Sequence, residues 1–329
     1  MVALSSQIDS FRLPHSQLSQ CYDNAAMVAC PASGFPRQDA QYIRSRSFRI
    51  QNDGWIAKDM ETGILWRRCV LGMTWDGTTC TGSAQSVDFA AAQTSCAALP
   101  PSTYGAWRVP EYRELSTLFE YHGGAPAIPA AYFPGFPGAT GLWSNTTQLA
   151  NPTNALANNI STGALISYAK TNTRYALCVT GPTLALETFA SVQPGLVKAT
   201  GLNQYWTSCP LLSGGTLDTS GNCAGPAQTM NWQTALQSCA ALDGTAGLNG
   251  WRLPSVLEVL SVPDYSSSSG SMMNDSFFPN GTTSMWTAST AVYSAITDAL
   301  SIRTSATPFD MQTTSKATNL PVHCVVDLL

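Results

Sequence analysis

The stretch Trp251-Arg252-Leu253-Pro254-Ser255-Val256-Leu257-Glu258, inside NGWRLPSVLEVL (249–260), nearly repeats Trp107-Arg108-Val109-Pro110-Glu111-Tyr112-Arg113-Glu114, inside GAWRVPEYREL (105–115). Tryptophan, arginine, proline and glutamate each recur 144 residues on. In the later copy Ser255 and Glu258 have capping-box spacing, and Pro254 suits a helix start. In the earlier copy Glu111 takes the cap position, so the box is degraded there. The tryptophan is large enough to plug a core between helix and sheet. The arginine can satisfy backbone carbonyls or the glutamate six residues later. An Arg–Glu pair written twice beside a core tryptophan reads as scaffold rather than as catalytic machinery.

Working outward from this motif, the two halves of the 329-residue chain fall into register. Cys69, Cys80, Cys96 and Cys178 match Cys209, Cys223, Cys239 and Cys324 at offsets of 140, 143, 143 and 146 residues. FRIQNDGWIA from Phe48 matches FASVQPGLVK from Phe189, YFPG at Tyr132 matches FFPN at Phe277, and LWSNTT at Leu142 matches MWTAST at Met285. Each half owns four cysteines, leaving Cys21 and Cys30 to an N-terminal arm. The repeat therefore suggests local bridges Cys69–Cys80 and Cys209–Cys223, long bridges Cys96–Cys178 and Cys239–Cys324, and an arm staple Cys21–Cys30. The domain reading is an arm over 1–46, a first module over 47–182 and a second over 183–329.

Each module is expected to open with a hairpin, turning at Asn52-Asp53-Gly54 in one and Pro194-Gly195 in the other. A helix follows. Ser86 is expected to cap one whose buried face carries Phe89, Ala92, Cys96 and Leu99, and Thr229 one carrying Trp232, Ala235, Leu236, Cys239 and Leu242. The second helix starts at the Trp-Arg motif. Long Ser/Gly/Asn/Pro-rich stretches come next, including YHGGAPAIPAAYFPGFPG, whose irregularity suggests binding or assembly loops. The fold class is α+β, with two helices and a small antiparallel sheet per module.

Composition narrows the function classes. Charged residues make up only 11% of the chain, against roughly 25% in a typical soluble domain. Such a surface suits assembly or extracellular life. The net charge of −4 gives no pull toward nucleic acid, and the basic run Arg44, Arg46 and Arg49 reads as one face of a strand. No apolar run reaches the roughly 18 residues of a membrane span. Ten cysteines with no CxxC and only three histidines (His15, His122, His323) speak for disulfides in an oxidising compartment and against zinc. No metal or cofactor is expected. The N-terminus lacks a signal peptide's apolar core, so a secreted protein is expected to be numbered after processing.

The motifs DMETGILW, WRVPEYREL, YFPG, LWSNTT and CVTG, with their second-half echoes, resemble the Lcl C-terminal domain family, and the element order resembles the C-type-lectin-like fold. CYDNAAMVACP followed by RQDAQY resembles a leader that often precedes such domains. The resemblance covers nearly the whole chain as two copies. It implies a bacterial secreted or surface protein, with glycan or host-surface adhesion known for some relatives, and implies no reaction. The Glu-Pro-Asn and Trp-Asn-Asp sugar motifs of calcium-dependent lectins are missing, which makes any sugar binding calcium-independent.

Three functional expectations follow. As a recognition module the chain would use loop residues Tyr168, Lys170, Arg174 and Tyr175 in the first half and Tyr293 and Arg303 in the second. As a subunit of a homo-oligomer or filament it would dock its N-terminal arm on a neighbour. A remote alternative is an enzyme related to formylglycine-generating enzymes, which share an RLP helix start but use reactive cysteines. No nucleophile-elbow or phosphate-loop motif is present.

Overall fold

The computed structural model describes residues 13–42, 46–51, 54–123, 127–138, 141–148, 151–225, 227–265, 273, 276–279, 284–304 and 310–328. Arg44 of the basic run and Asn52 and Asp53 of the expected turn lie outside them. Among the described residues four short α-helices sit among small antiparallel sheets.

The two halves have the same sheet order. In the first, Val179–Thr180, Leu65–Arg67, Ile56–Asp59 and Phe48–Gln51 lie side by side, all antiparallel. In the second, Val325–Asp327, Gln204–Thr207, Leu196–Ala199 and Phe189–Gln193 repeat that arrangement. Trp66 and Trp206 occupy the same ladder position, paired with Val179 and Val325, and both are fully buried. A three-stranded meander follows in each: Gly141–Thr147, Asn154–Asn159 and Leu165–Ala169, then Ser284–Thr290, Asp298–Arg303 and Asp310–Ser315. Both meanders slip register at the same place, after Trp143 and after Trp286. A bulge re-aims the strand there, carrying each indole inward so that its Nε1 donates to a main-chain oxygen, Val87 O or Met230 O.

Helix α1 (Phe89–Ala97) and helix α3 (Trp232–Ala240) correspond. Their N-caps are Asp88 and Asn231, not Ser86 and Thr229. Each short carboxyl or amide side chain accepts the N–H three residues on, at 2.8 and 2.9 Å. Thr229 instead lies in a strand paired with Pro321. Cys96 and Cys239 sit on the buried faces of α1 and α3 and join Cys178 and Cys324 on the segments leading into each module's last strand. These bridges close loops of 82 and 85 residues, each stabilising by about 4 kcal/mol in the chain-entropy account. Cys21–Cys30, Cys69–Cys80 and Cys209–Cys223 complete the set, and no cysteine is free.

The Trp-Arg-Pro motifs lead into helix α2 (Tyr112–Ser116) and helix α4 (Val256–Ser261). These helices pack near one another between the modules, where the Tyr112 and Tyr265 rings lie 4.9 Å apart. Arg113 reaches the same seam, donating to Ala185 O and Pro263 O. One continuous apolar core consequently runs through both halves, while α1, Trp107 and Trp143 form a second, smaller cluster in the first. The stretch after α2, expected to be an irregular binding or assembly loop, carries several inward-facing side chains. Tyr121, Ala127, Ile128 and Phe133 are buried, with Phe133 edge-on to Phe48 at 5.5 Å.

Candidate functional site

The two Trp-Arg corners are the natural place to look for chemistry. In each, the guanidinium and carboxylate form a two-pronged pair. Arg108 donates to both oxygens of Glu114 at 2.5 and 2.7 Å, and Arg252 to both oxygens of Glu258 at 2.7 Å. Each glutamate also accepts the N–H of its helix cap, from Glu111 at 2.8 Å and Ser255 at 2.6 Å. Glu114 thus supplies the reach-back half of a capping box even though Glu111 replaces serine. Glu111 itself is held by Asn145 and Thr146 at 2.8 Å. Burial alone would raise the Glu258 carboxyl, but Arg252 outweighs it and holds the group at about 2. Both carboxylates are thus committed to their arginines and to the N–H groups of their helix caps, bracing the start of each helix.

The described part of the arm, residues 13–42, packs mainly on the second module, with a main-chain contact to the first, Tyr121 N–H to Ser16 O at 2.8 Å. Its hairpin Cys21–Tyr22/Met27–Val28 is clamped by the Gln38 amide, which exchanges hydrogen bonds with the Tyr22 backbone at 2.9 and 2.8 Å. Phe35 packs on Trp232 with ring centres 6.2 Å apart, and Gly34 O accepts from Gln237 at 2.8 Å. Arg37 pairs with both Asp243 oxygens at 2.8 and 2.5 Å and donates to Trp251 O at 2.7 Å. Lys316, 1% exposed, donates to Asp23 O at 2.8 Å with its ammonium 4.3 Å from the Trp232 ring, and burial pulls it down to about 8. Tyr42 lies beneath Arg252, and His15 holds Asp39 at 2.9 Å. Ser289 donates to the other Asp39 oxygen. Serine and histidine both bind the carboxylate rather than each other, so the trio has no route for a histidine to deprotonate the serine.

In the first module the corresponding corner is open. Trp55, Arg67, Leu99, Pro100, Pro101 and Trp107 line a groove of about 390 Å³. Trp55 is 38% exposed, and Trp107 is 8% exposed where Trp251 is fully buried. The Trp107 N–H is spent on Pro100 O at 3.0 Å, leaving its ring to the groove. The half-buried Arg67 lies 5.8 Å from the centre of the Trp55 ring and makes one long hydrogen bond, 3.3 Å to Met73 O. Burial lowers its pKa, and among the described residues no carboxylate is within ion-pair reach of it.

The expected binding residues are placed as follows. Tyr168, Lys170, Arg174 and Tyr175 do come together around Phe89 and Trp143, each partly exposed. The Arg174 guanidinium covers the Tyr168 face at 3.7 Å, Tyr168 meets Trp143 edge-on, and the Lys170 ammonium lies 5.0 Å from the Phe89 ring. Gly141 permits this closure, since a Cβ there would meet Tyr168 at 2.7 Å and Arg174 at 2.8 Å. Tyr175 exchanges backbone hydrogen bonds with Gly141 and Trp143. Tyr293 and Arg303 are not brought together: Tyr293 is in the turn before strand Asp298–Arg303, while Arg303 ends that strand, 3.4 Å from Asp310. Arg46 of the basic run is buried against Asp59 at 2.9 Å. Cys209, Asp218 and Cys223 converge with metal-ligand types, but both sulfurs belong to one disulfide and are not thiolates.

Sequence reasoning missed Trp55 because the hairpins were aligned without a gap. Bridge partners Gln51↔Ile56 and Gln193↔Leu196 show that Ile56 corresponds to Leu196, the second hairpin absorbing the difference in an irregularity between Ser191 and Gln193. Trp55 therefore stands opposite Gly195. A tryptophan directly after a turn glycine, with no aromatic in its repeat partner, was the available signal.

The sequence model of the Lcl C-terminal domain matches this chain twice, over residues 56–180 and 195–326. No curated protein matches it. The two matches span most of the chain, which belongs to the Lcl C-terminal domain family as a tandem pair. Among the described residues no helix is long and apolar enough to cross a membrane.

Proposed function

We propose that, as a tandem member of the Lcl C-terminal domain family, this chain is a non-catalytic bacterial extracellular protein of adhesin type, whose modules have a C-type-lectin-like layout and recognise polysaccharide without calcium. The observation that carries the reading is the Trp55–Trp107 groove, an aromatic-lined opening of ligand size. Five disulfides fit an oxidising compartment, and secretion to the cell surface extends that. The non-catalytic part is supported by the corner glutamates' commitment to their arginines and by the absence of a free thiol for formylglycine-type chemistry. The test is retention on a panel of immobilised polysaccharides with and without a calcium chelator. Retention that survives chelation is expected; no retention on any of them, or loss on chelation, contradicts the reading.

A second reading is favoured by one observation: the arm's contacts reach the module more distant in sequence. Asn24 meets Gln233, and Arg37 meets Asp243. The same contacts made in trans would link copies head to tail into a filament. Cysteines replacing Asn24 and Gln233, whose side chains meet at 3.1 Å, discriminate. A cross-linked ladder under non-reducing conditions supports arm exchange, and cross-linked monomer alone excludes it.

A further inference from the structure

The two modules differ at one corner in a chemically directed way. In the second module Gly195 stands where the first has Trp55, Thr207 stands where it has Arg67, and Arg37 of the arm pairs with Asp243 beside Trp251. There the tryptophan is fully buried and the cation is paired. In the first module the arm is elsewhere, both indoles remain, and a guanidinium stripped of part of its water faces aromatic surface, with no carboxylate among the described residues in ion-pair reach of it. An unpaired, partly desolvated arginine is costly unless something anionic completes it.

We infer that the Trp55–Arg67–Trp107 groove is a subsite for a carboxylate-bearing sugar ring, a uronate within an acidic polysaccharide, with one such subsite per chain. This rests on the polysaccharide reading above and narrows it. The apolar C–H face of a pyranose stacks on an exposed indole, and a planar carboxylate matches the guanidinium fork in a way that a spherical charge does not. A proline-rich peptide fits less well, because such grooves use a tryptophan N–H to hold the peptide carbonyl. Here the Trp107 N–H is already given to Pro100 O, and the Tyr104 hydroxyl is hydrogen-bonded to Gln51. The Arg67 guanidinium is the charged donor at the groove, beside the Trp55 indole.

The test is titration calorimetry of the full chain with polygalacturonate, with dextran, dextran sulfate and a polyproline peptide as comparators at one ionic strength. Polygalacturonate is expected to bind, and Trp55→Ala and Arg67→Gln each to weaken it by about tenfold or more. Trp55 is 38% exposed and lies outside the buried core, and circular dichroism with thermal melting checks that both variants fold. Undiminished polygalacturonate binding in both variants overturns the site. Dextran binding that needs Trp55 but not Arg67, or dextran sulfate binding that depends equally on Arg67, overturns the carboxylate assignment and leaves polysaccharide recognition standing. Polyproline binding that needs Trp55 replaces the sugar by a peptide. Failure of all three polysaccharides to bind removes this inference, and the wider panel then decides whether polysaccharide recognition goes with it.

Discussion

The first corner, Arg108–Glu114, and the second, Arg252–Glu258, are built from the same residues and do different amounts of structural work. The Arg108 side chain is 31% exposed, and its surroundings are completed by the linker after the first module, where Thr183 accepts from Arg108 and Leu184 N–H donates to Glu114. The Arg252 side chain is 6% exposed, pinned additionally by Asp327 at 3.2 Å and covered by the arm. Gln204 bridges Glu258 and Asp327 at 2.5 and 2.7 Å. One motif thus serves as a partly wet brace in one half and as a dry, networked one in the other, and what covers it makes the difference. Where the arm lies the core is continuous; where it does not, α1 and Trp107 keep a separate small core beside an open groove.

The sharpest way to break this contrast is to remove each arginine. Arg252→Met strands Glu258 and also removes the partner of Asp327, and is expected to cost about 3–5 kcal/mol, whereas Arg108→Met strands a Glu114 carboxylate that is 0% exposed but leaves a gap that water can enter beside a guanidinium already 31% exposed, and is expected to cost less, about 2–3 kcal/mol. Denaturant midpoints of the two variants compare them directly, and equal losses would mean that the arm contributes nothing to the second corner. The pH dependence should differ as well. With Arg252 present, Glu258 sits near 2 against an ordinary 4.5, so its contribution is full above 4.5 and disappears as pH falls through about 2. In Arg252→Met the unpaired carboxyl prefers its proton, so the penalty should shrink on acidification.

A smaller effect separates His323 from its counterpart Leu177, each buried one residue before the module's long-bridge cysteine. Its Nδ1 lies 2.9 Å from Thr207 O, which can only accept, so Nδ1 carries the proton. Burial, against the pull of that carbonyl, depresses His323 to about 4 from 6.5. Stability is therefore whole above 6.5 and falls as pH drops toward 4, by on the order of 3 kcal/mol. His323→Leu, copying the first module, should remove most of that acid lability. A chain whose stability between pH 7 and 4 is unchanged by the substitution would contradict this.

The smallest effect tests the latch itself. Arg37→Ala removes a half-exposed pair and should cost only about 0.5–1 kcal/mol of global stability. It should still speed proteolysis between residues 13 and 42, because local opening is cheaper than global unfolding.

Much of the scaffold was readable because repeats constrain it twice over. Cysteine spacing, the Trp-Arg-Pro motif and the apolar faces of α1 and α3 each recur, and covalent or period-3.6 patterns are local or discrete signals. The caps were misplaced by two residues because Ser86 and Thr229 are good capping residues lying just upstream of the better-placed Asp88 and Asn231. The arm's destination was illegible. Its partners Gln233, Asp243, Ser289 and Lys316 lie about two hundred residues or more away in sequence, and polar contacts at that range leave no periodic trace. The binding residues chosen for their chemistry, Tyr168 and Arg174, proved to be each other's partners. Trp55, hidden by a one-residue slip between the hairpins, is 38% exposed and lines the groove.

Hydrogen exchange of the full chain, with and without polygalacturonate, tests the division of labour between the halves most directly. Protection confined to residues 54–56 and 99–107, with none at 195–197 or 242–251, is the expected result. Equal protection of both corners, or protection of the second alone, would show that the arm does not close the second module and that the open groove is not where recognition happens.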